Sequence, residues 1–477
     1  MTRTLLIANR GEIAVRIART ARELGLRTIA VYSDADATAL HVATCDDAVR
    51  IGPPSPSASY LNVPALLAAA KATGAHLIHP GYGFLSENAD FADAVEAAGI
   101  EWVGPTGASM RALGSKLGAR AVATSLGIPV LPSARPGESF ANVGFPLLIK
   151  ASGGGGGRGM RRVDDASGVD EAVEAARAEA LAAFGDDTVY AERLLLSPRH
   201  IEVQVFGDGE GGVSVLSERD CSIQRRHQKL IEEAPCAFLG DLRGVLHERA
   251  RALAASVRYR SAGTVEFLWD GQEAWFLEMN TRLQVEHPVT EMVLGLDLVA
   301  AQLQRRLPAE SEPQGHAIEC RVVAEDPAAG FLPAPGRLGV VRWPRGPGVR
   351  VDEGVRESGG PGASAGDVVP PDYDALIAKI IVHAPTREAA RQRMLRALED
   401  TVVTGVPTTI ERLIDTLRDG AFIAQNHSTG TLADVVAGDV DPALVLAAAA
   451  LATASPRAEV GGGGPAAGPW QTVGRWA

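Results

Sequence analysis

The chain has 477 residues, too many for a single hydrophobic core, so two to four domains are expected. Its 46% hydrophobic and 22% charged content is that of a globular protein, and a net charge of -12 argues against a general nucleic-acid binder. No apolar run approaches the roughly 20 residues of a membrane helix, the start enters a strand pattern without a signal peptide, and Cys45, Cys221, Cys236 and Cys320 show no zinc-type spacing or disulfide framework, which points to a reduced, cytoplasmic setting.

In chain order, residues 5–8 predict a buried strand and residues 11–25 an amphipathic helix with Ile13, Ile17, Ala21 and Leu24 on one face. A strand over 28–32, a helix over 63–72, a strand over 77–79 and a helix over 90–98 continue the alternation of a parallel α/β layout. Residues 8–12 stand where a dinucleotide fold would carry Gly-x-Gly-x-x-Gly, and they lack it. From about residue 114 the pattern changes. A short strand over 145–150 runs into a loop with six glycines between positions 153 and 159. Paired strands follow, 200–206 with 213–216 and 264–269 with 274–278. A third block of mixed α+β character begins near residue 315. The stretch 436–477 is Ala-rich and then Gly/Pro-rich, the composition of a linker.

Chemistry concentrates in the second block. A backbone without Cβ atoms can close over phosphates, and Lys150 stands just before the glycine loop; a flexible linker is the alternative reading. Glu266 and Glu278 lie on neighbouring predicted strands, with Asn280 on the same side as Glu278. Such oxygen ligands suit Mg²⁺ beside nucleotide phosphates, whereas the bland reading is two ordinary strand-face glutamates. Arg282 and Glu286 follow directly, a cation for a carboxylate-like oxyanion and a carboxylate for general-base work, or else a polar surface turn. The basic run 225–229 reads either as a solvated loop or as charge aimed at a phosphorylated or carboxylated intermediate. Only five of the 46 basic residues are lysine: Lys71, Lys116, Lys150, Lys229 and Lys379. In so arginine-rich a chain, a lysine persists best where a compact ammonium is needed and a planar guanidinium does not fit.

The motifs at 7–14, 79–88, 150–159, 218–222, 225–229 and 278–288 together resemble biotin carboxylase, the ATP-grasp component of biotin-dependent carboxylases, over about residues 1–435. The resemblance implies a fold of the α/β and α+β classes. Its parts would be a pre-ATP-grasp domain over 1–113, an ATP-grasp domain over 114–314 with a mobile lid at about 130–205, and a biotin-carboxylase C-terminal domain over 315–435. It implies that Lys116 and Lys150 bind ATP phosphates and that Gly156 and Gly157 lie in the lid. Glu192, Arg193, Leu194 and Leu195 would form the adenine hinge, with His200, Gln224 and His227 also at the nucleotide. Lys229, Arg282, Gln284 and Val285 would hold bicarbonate, and Glu286 would deprotonate it. Glu266, Glu278 and Asn280 would take Mg²⁺ or Mn²⁺. Arg350 would stabilise the biotin enolate, with Tyr82 near the biotin ring.

The implied partners are a biotin carboxyl carrier, a second copy of the chain and a carboxyltransferase β subunit, with no nucleic acid and no membrane. An ATP-grasp ligase acting on urea is the alternative. Arg193 replaces a usual lysine, Ser115 a frequent aspartate, and the stretch 357–366 is longer and richer in glycine than the family pattern. No Ala-Met-Lys-Met-type biotinyl motif is present, and Lys379 in its apolar run is a poor acceptor. Biotin is therefore expected on another polypeptide or in a further C-terminal region.

Overall fold

The computed structural model describes residues 2–134, 138–151, 160–358 and 367–436. Gly156 and Gly157, most of the 357–366 stretch and nearly all of the 436–477 segment lie outside the described residues.

The N-terminal part is a five-stranded parallel sheet in the order Asp47–Gly52, Arg27–Ser33, Thr4–Ile7, Leu77–His79, Glu101–Trp102. Its central strand Thr4–Ile7 is wholly buried, as a strand covered on both faces requires. The helix Gly11–Glu23 turns Ile13, Ala14, Ile17, Ala18 and Ala21 inward, each at most 1% exposed. The strands Asp47–Gly52 and Glu101–Trp102 were not legible in the pattern. The first is an edge strand exposed at Asp47 and Arg50, and the second has only two residues, so neither carries a hydrophobic period.

The centre of the molecule is an eight-stranded antiparallel sheet. Its order is Ala274–Asn280, Arg260–Trp269, Arg199–Asp208, Val213–Arg225, Gln228–Ala234, His316–Val323, Leu376–Ala384, Val349–Glu353. The ladder is continuous across the join between the second and third blocks of the sequence: Ile231 pairs with Cys320 and Glu233 with Ile318. A separate four-stranded sheet, Ser133–Ala134, Val189–Arg193, Leu147–Ala151 and Arg161–Val163, is backed by the helix Val169–Phe184. Its own core includes Leu147, Ile149, Ala176, Ala180 and Ala191. Among the described residues no helix is long and apolar enough to cross a membrane.

Candidate active site

A cleft of about 480 Å³ opens between the small sheet and one face of the large one. The Lys116, Lys150, Glu192, Arg193, Leu194 and Leu195 side of the site meets His200, Gln224 and His227 there, and also Lys229, Glu266, Glu278, Asn280, Arg282, Gln284, Val285 and Glu286. These residues come from a helix start, strands and turns more than 150 positions apart in sequence. Ser115 caps the helix Lys116–Ser125 by accepting from the Gly118 N–H, which sets Lys116 at the helix start. Lys150 is buried and ion-paired with Glu192, whose other oxygen accepts from Arg120 Nη1 at 2.5 Å. Glu192, on the strand Val189–Arg193, therefore fixes the Lys150 ammonium at the cleft wall.

The large sheet supplies a row of acids. In register, Glu202 faces Glu266 across one ladder and Glu266 faces Glu278 across the next. Like charges placed directly opposite repel. Burial and the charge on Glu266 push the Glu278 carboxyl up. Glu266 is held far below the ordinary carboxylate range; its burial acts upward, but Lys229 and His200 outweigh it. His200 Nε2 lies 2.9 Å from Glu266 Oε2, and Asn280 Nδ2 donates to Glu266 Oε1 at 2.7 Å. A hard-oxygen row carrying such repulsion is the donor set that Mg²⁺ neutralises, so Glu266, Glu278 and Asn280 fit the ion.

Lys229 sits at the centre. Its Nζ lies 2.8 Å from Glu266 Oε1 and 2.6 Å from Glu286 Oε1, and it also pairs with Glu202. Burial alone would lower its pKa, but the three carboxylates drive it well above the ordinary value. Glu286 is fully buried between Lys229 and Arg321, whose Nη2 is 3.0 Å from Glu286 Oε2. Those two cations overcome the burial and hold its carboxyl well below the usual range. Arg282 is clamped by Glu87 at 3.0 Å, Gln284 Oε1 at 3.0 Å and Asn280 Oδ1 at 3.1 Å.

Two predicted residues lie elsewhere. Arg350 does not line this cleft; it bonds Asp352 at 2.8 and 2.9 Å and Glu291 at 2.7 Å in an adjoining ionic cluster. Tyr82 also lies off the cleft lining, with its ring 5.9 Å from Lys379 Nζ. The basic run 225–229 is not a single device. His227, Gln228 and Lys229 line the cleft, whereas Arg225 pairs with Glu325.

Sequence reading missed Glu202, Arg321 and Glu87 as parts of the site. Glu202 had a visible signal, because His200, Glu202 and Gln204 alternate along an otherwise apolar strand, so all three face one side. Glu319 and Arg321 alternate in the same way on His316–Val323.

A nucleotide-sized cleft between two antiparallel sheets, with lysines on one wall and an acidic row on the other, defines an ATP-grasp ligase. Residues 1–110 match the family described as biotin carboxylase, N-terminal domain. Residues 112–308 match carbamoyl-phosphate synthase L chain, ATP binding domain, and residues 319–434 match biotin carboxylase C-terminal domain. The chain is 47% identical over 427 residues to biotin carboxylase of Haemophilus influenzae, covering 86% of this chain and 93% of that one. It is 45% identical over 434 residues to a pyruvate carboxylase subunit of Methanothermobacter thermautotrophicus, covering 88% and 87%. The biotin carboxylase domain dimer of Hydrogenobacter thermophilus 2-oxoglutarate carboxylase, solved with MgADP, ADP and bicarbonate, superposes with a TM-score of 0.86 at 40% identity, covering 91% and 98%. The chain belongs to the biotin carboxylase family and catalyses ATP-dependent carboxylation of biotin.

Proposed function

We propose that this chain carries out the first half-reaction of an acyl-CoA carboxylase, charging biotin borne on a separate carrier by way of carboxyphosphate. The observation that carries the reading is Glu286 buried beside Lys229 and next to the Arg282–Gln284–Val285 segment. Bicarbonate seated on Arg282, Gln284 and the Val285 N–H would draw the Lys229 ammonium toward its own oxyanion. Glu286 loses part of the charge that holds its pKa down and becomes able to take the bicarbonate proton. The freed oxygen attacks the γ-phosphorus, the bond to ADP breaks, and Lys116 and Lys150 hold the phosphate charge. Mg²⁺ held by Glu266, Glu278 and Asn280 would supply Lewis-acid neutralisation of the nucleotide phosphates. Carboxyphosphate splits to CO₂ and phosphate, phosphate removes the biotin N1 proton, and N1 attacks CO₂, with Arg350 facing the enolate oxygen and Tyr82 the ring.

This reading includes a homodimer and a carboxyltransferase partner that chooses the final acceptor. The dimer is supported by the similarity to the biotin carboxylase domain dimer of 2-oxoglutarate carboxylase, and a separate transferase by the similarity to a pyruvate carboxylase component that is itself a subunit. The test is ATP hydrolysis by the purified protein with bicarbonate present or absent. We expect dependence on bicarbonate, stimulation by free biotin, and loss of turnover in Lys229→Ala and Glu286→Ala. Stimulation by urea or ammonia instead of biotin would overturn the assignment. Co-purified transferase assayed with acetyl-CoA, propionyl-CoA, pyruvate and 2-oxoglutarate identifies the acceptor; turnover of only the two keto acids would rule out the acyl-CoA arm.

A further inference from the structure

Lys379 has no place in the reaction described so far, yet it is completely buried on the strand Leu376–Ala384. Its ammonium donates to the Val285 carbonyl at 2.7 Å. Glu12 Oε1 lies 3.3 Å away and Asp352 Oδ2 3.8 Å away. The register sets Arg321, Lys379 and Asp352 in one row across three adjacent strands. At one end of that row Arg321 holds Glu286, and at the other Asp352 holds Arg350. Lys379 stands between them with the Tyr82 ring on its flank.

The Val285 carbonyl belongs to the peptide that joins Val285 to Glu286. A bond to it fixes the plane from which the Glu286 side chain departs. The preceding carbonyl is also held, because His287 Nδ1 lies 2.7 Å from Gln284 O. The turn carrying the base is thus pinned at two successive carbonyls, by side chains reaching it from outside the cleft. Burying an ammonium and two carboxylates is a poor way to gain stability, since apolar residues of similar volume serve a core at least as well. The arrangement makes better sense as orientation. The lysine is one of only five, and a compact ammonium suits a point where one carbonyl and two carboxylates converge better than a planar fork does.

We infer that Lys379 is a positioning residue, which sets Glu286 and the Val285 peptide against bicarbonate and ties that turn to Asp352 and Arg350 on the biotin side. The inference rests on Glu286 and Val285 acting on bicarbonate as proposed above.

The test compares two charge-balanced double variants, K379M/E12Q and K379Q/E12Q, with the wild type and with Glu286→Ala, after thermal melts have shown that each folds. K379M/E12Q should lose about 10²-fold in kcat/KM for bicarbonate, the scale of a misplaced reacting group. Its KM for ATP should stay within about twofold of wild type, because the nucleotide side of the cleft does not touch Lys379. K379Q/E12Q should recover part of the loss, since its amide can donate to Val285. Wild-type bicarbonate kinetics in K379M/E12Q would overturn the inference, as would ATP and bicarbonate parameters falling together, or a glutamine pair no better than the methionine pair. If the methionine pair does not fold, a crystal structure of the wild type with ADP and bicarbonate decides: the Lys379–Val285 bond must be present, and an ammonium turned away from Val285 refutes the role. A wild type with no bicarbonate-dependent hydrolysis would instead sink the functional reading. An active wild type with an inactive Glu286→Ala keeps the two failures apart.

Discussion

Lys229 shows why charge type alone does not describe this site. One ammonium meets Glu202, Glu266 and Glu286 at once. An ammonium is a compact point charge with three rotatable donors, and it can serve three carboxylates that converge from different strands. A guanidinium is planar and forked, and would satisfy one of them in bidentate fashion at the expense of the others. Lys229→Arg is therefore expected to keep the fold and lose about 10²-fold or more in bicarbonate-dependent ATP hydrolysis. Activity close to wild type in that variant would show that charge alone suffices. Glu87 acts similarly at a distance: it accepts from the Thr281 N–H at 3.0 Å and from Arg282 Nε at 3.0 Å, so it fixes both the backbone and the guanidinium of the Thr281–Arg282 turn.

At the scale of elements, the working unit is the polar row across an otherwise apolar sheet. Alternation sends His200, Glu202 and Gln204 to one side of their strand, and pairing sets Glu202, Glu266 and Glu278 beside one another. Other strands of the same sheet hold a second buried cluster. Glu233 on Gln228–Ala234 bonds His316 at 2.8 Å and Arg387 at 2.6 and 3.0 Å, tying two strands to the helix Arg387–Glu399. Burial acts to raise its pKa, but the His316 hydrogen bond and the Arg387 charge outweigh burial and bring it to about 2 from an ordinary 4.5. A depressed acid stabilises the fold above its unfolded-state value, and that contribution is lost as pH falls through the folded one. Stability should decline as pH drops from about 4.5 towards 2. Glu233→Gln should flatten that decline while costing about 3–5 kcal/mol at neutral pH through the unpaired Arg387, as read by urea unfolding. A variant with an unchanged acid limb would show that other carboxylates govern it.

At the scale of the molecule, the sheet joins what the sequence presents as separate blocks. The strand Gln228–Ala234 pairs with His316–Val323, and Arg321 on the latter reaches back to Glu286. A fragment ending at residue 314 would expose the Gln228–Ala234 edge and leave Glu286 without Arg321. Bare edges invite aggregation. We expect such a fragment to elute as aggregate in gel filtration and to lack bicarbonate-dependent ATP hydrolysis. A monodisperse, active fragment would show that the third block is dispensable.

Read by itself, the sequence determined the α/β entry and the central paired strands, and it singled out the 266–286 residues that meet in the cleft. Each of these is written in local terms: a hydrophobic period, or polar side chains at spacing two. It also set Lys379 apart, first as one of few lysines and then as one in an apolar run, without showing what it touches. That was left to the tertiary structure, along with Glu202, Arg321 and Glu87. Lys379 meets Val285 from 94 residues away and Arg282 meets Glu87 from 195. Contacts so distant in sequence depend on strand order and register, which are set by how the hydrophobic faces of whole elements pack together and which no local pattern encodes.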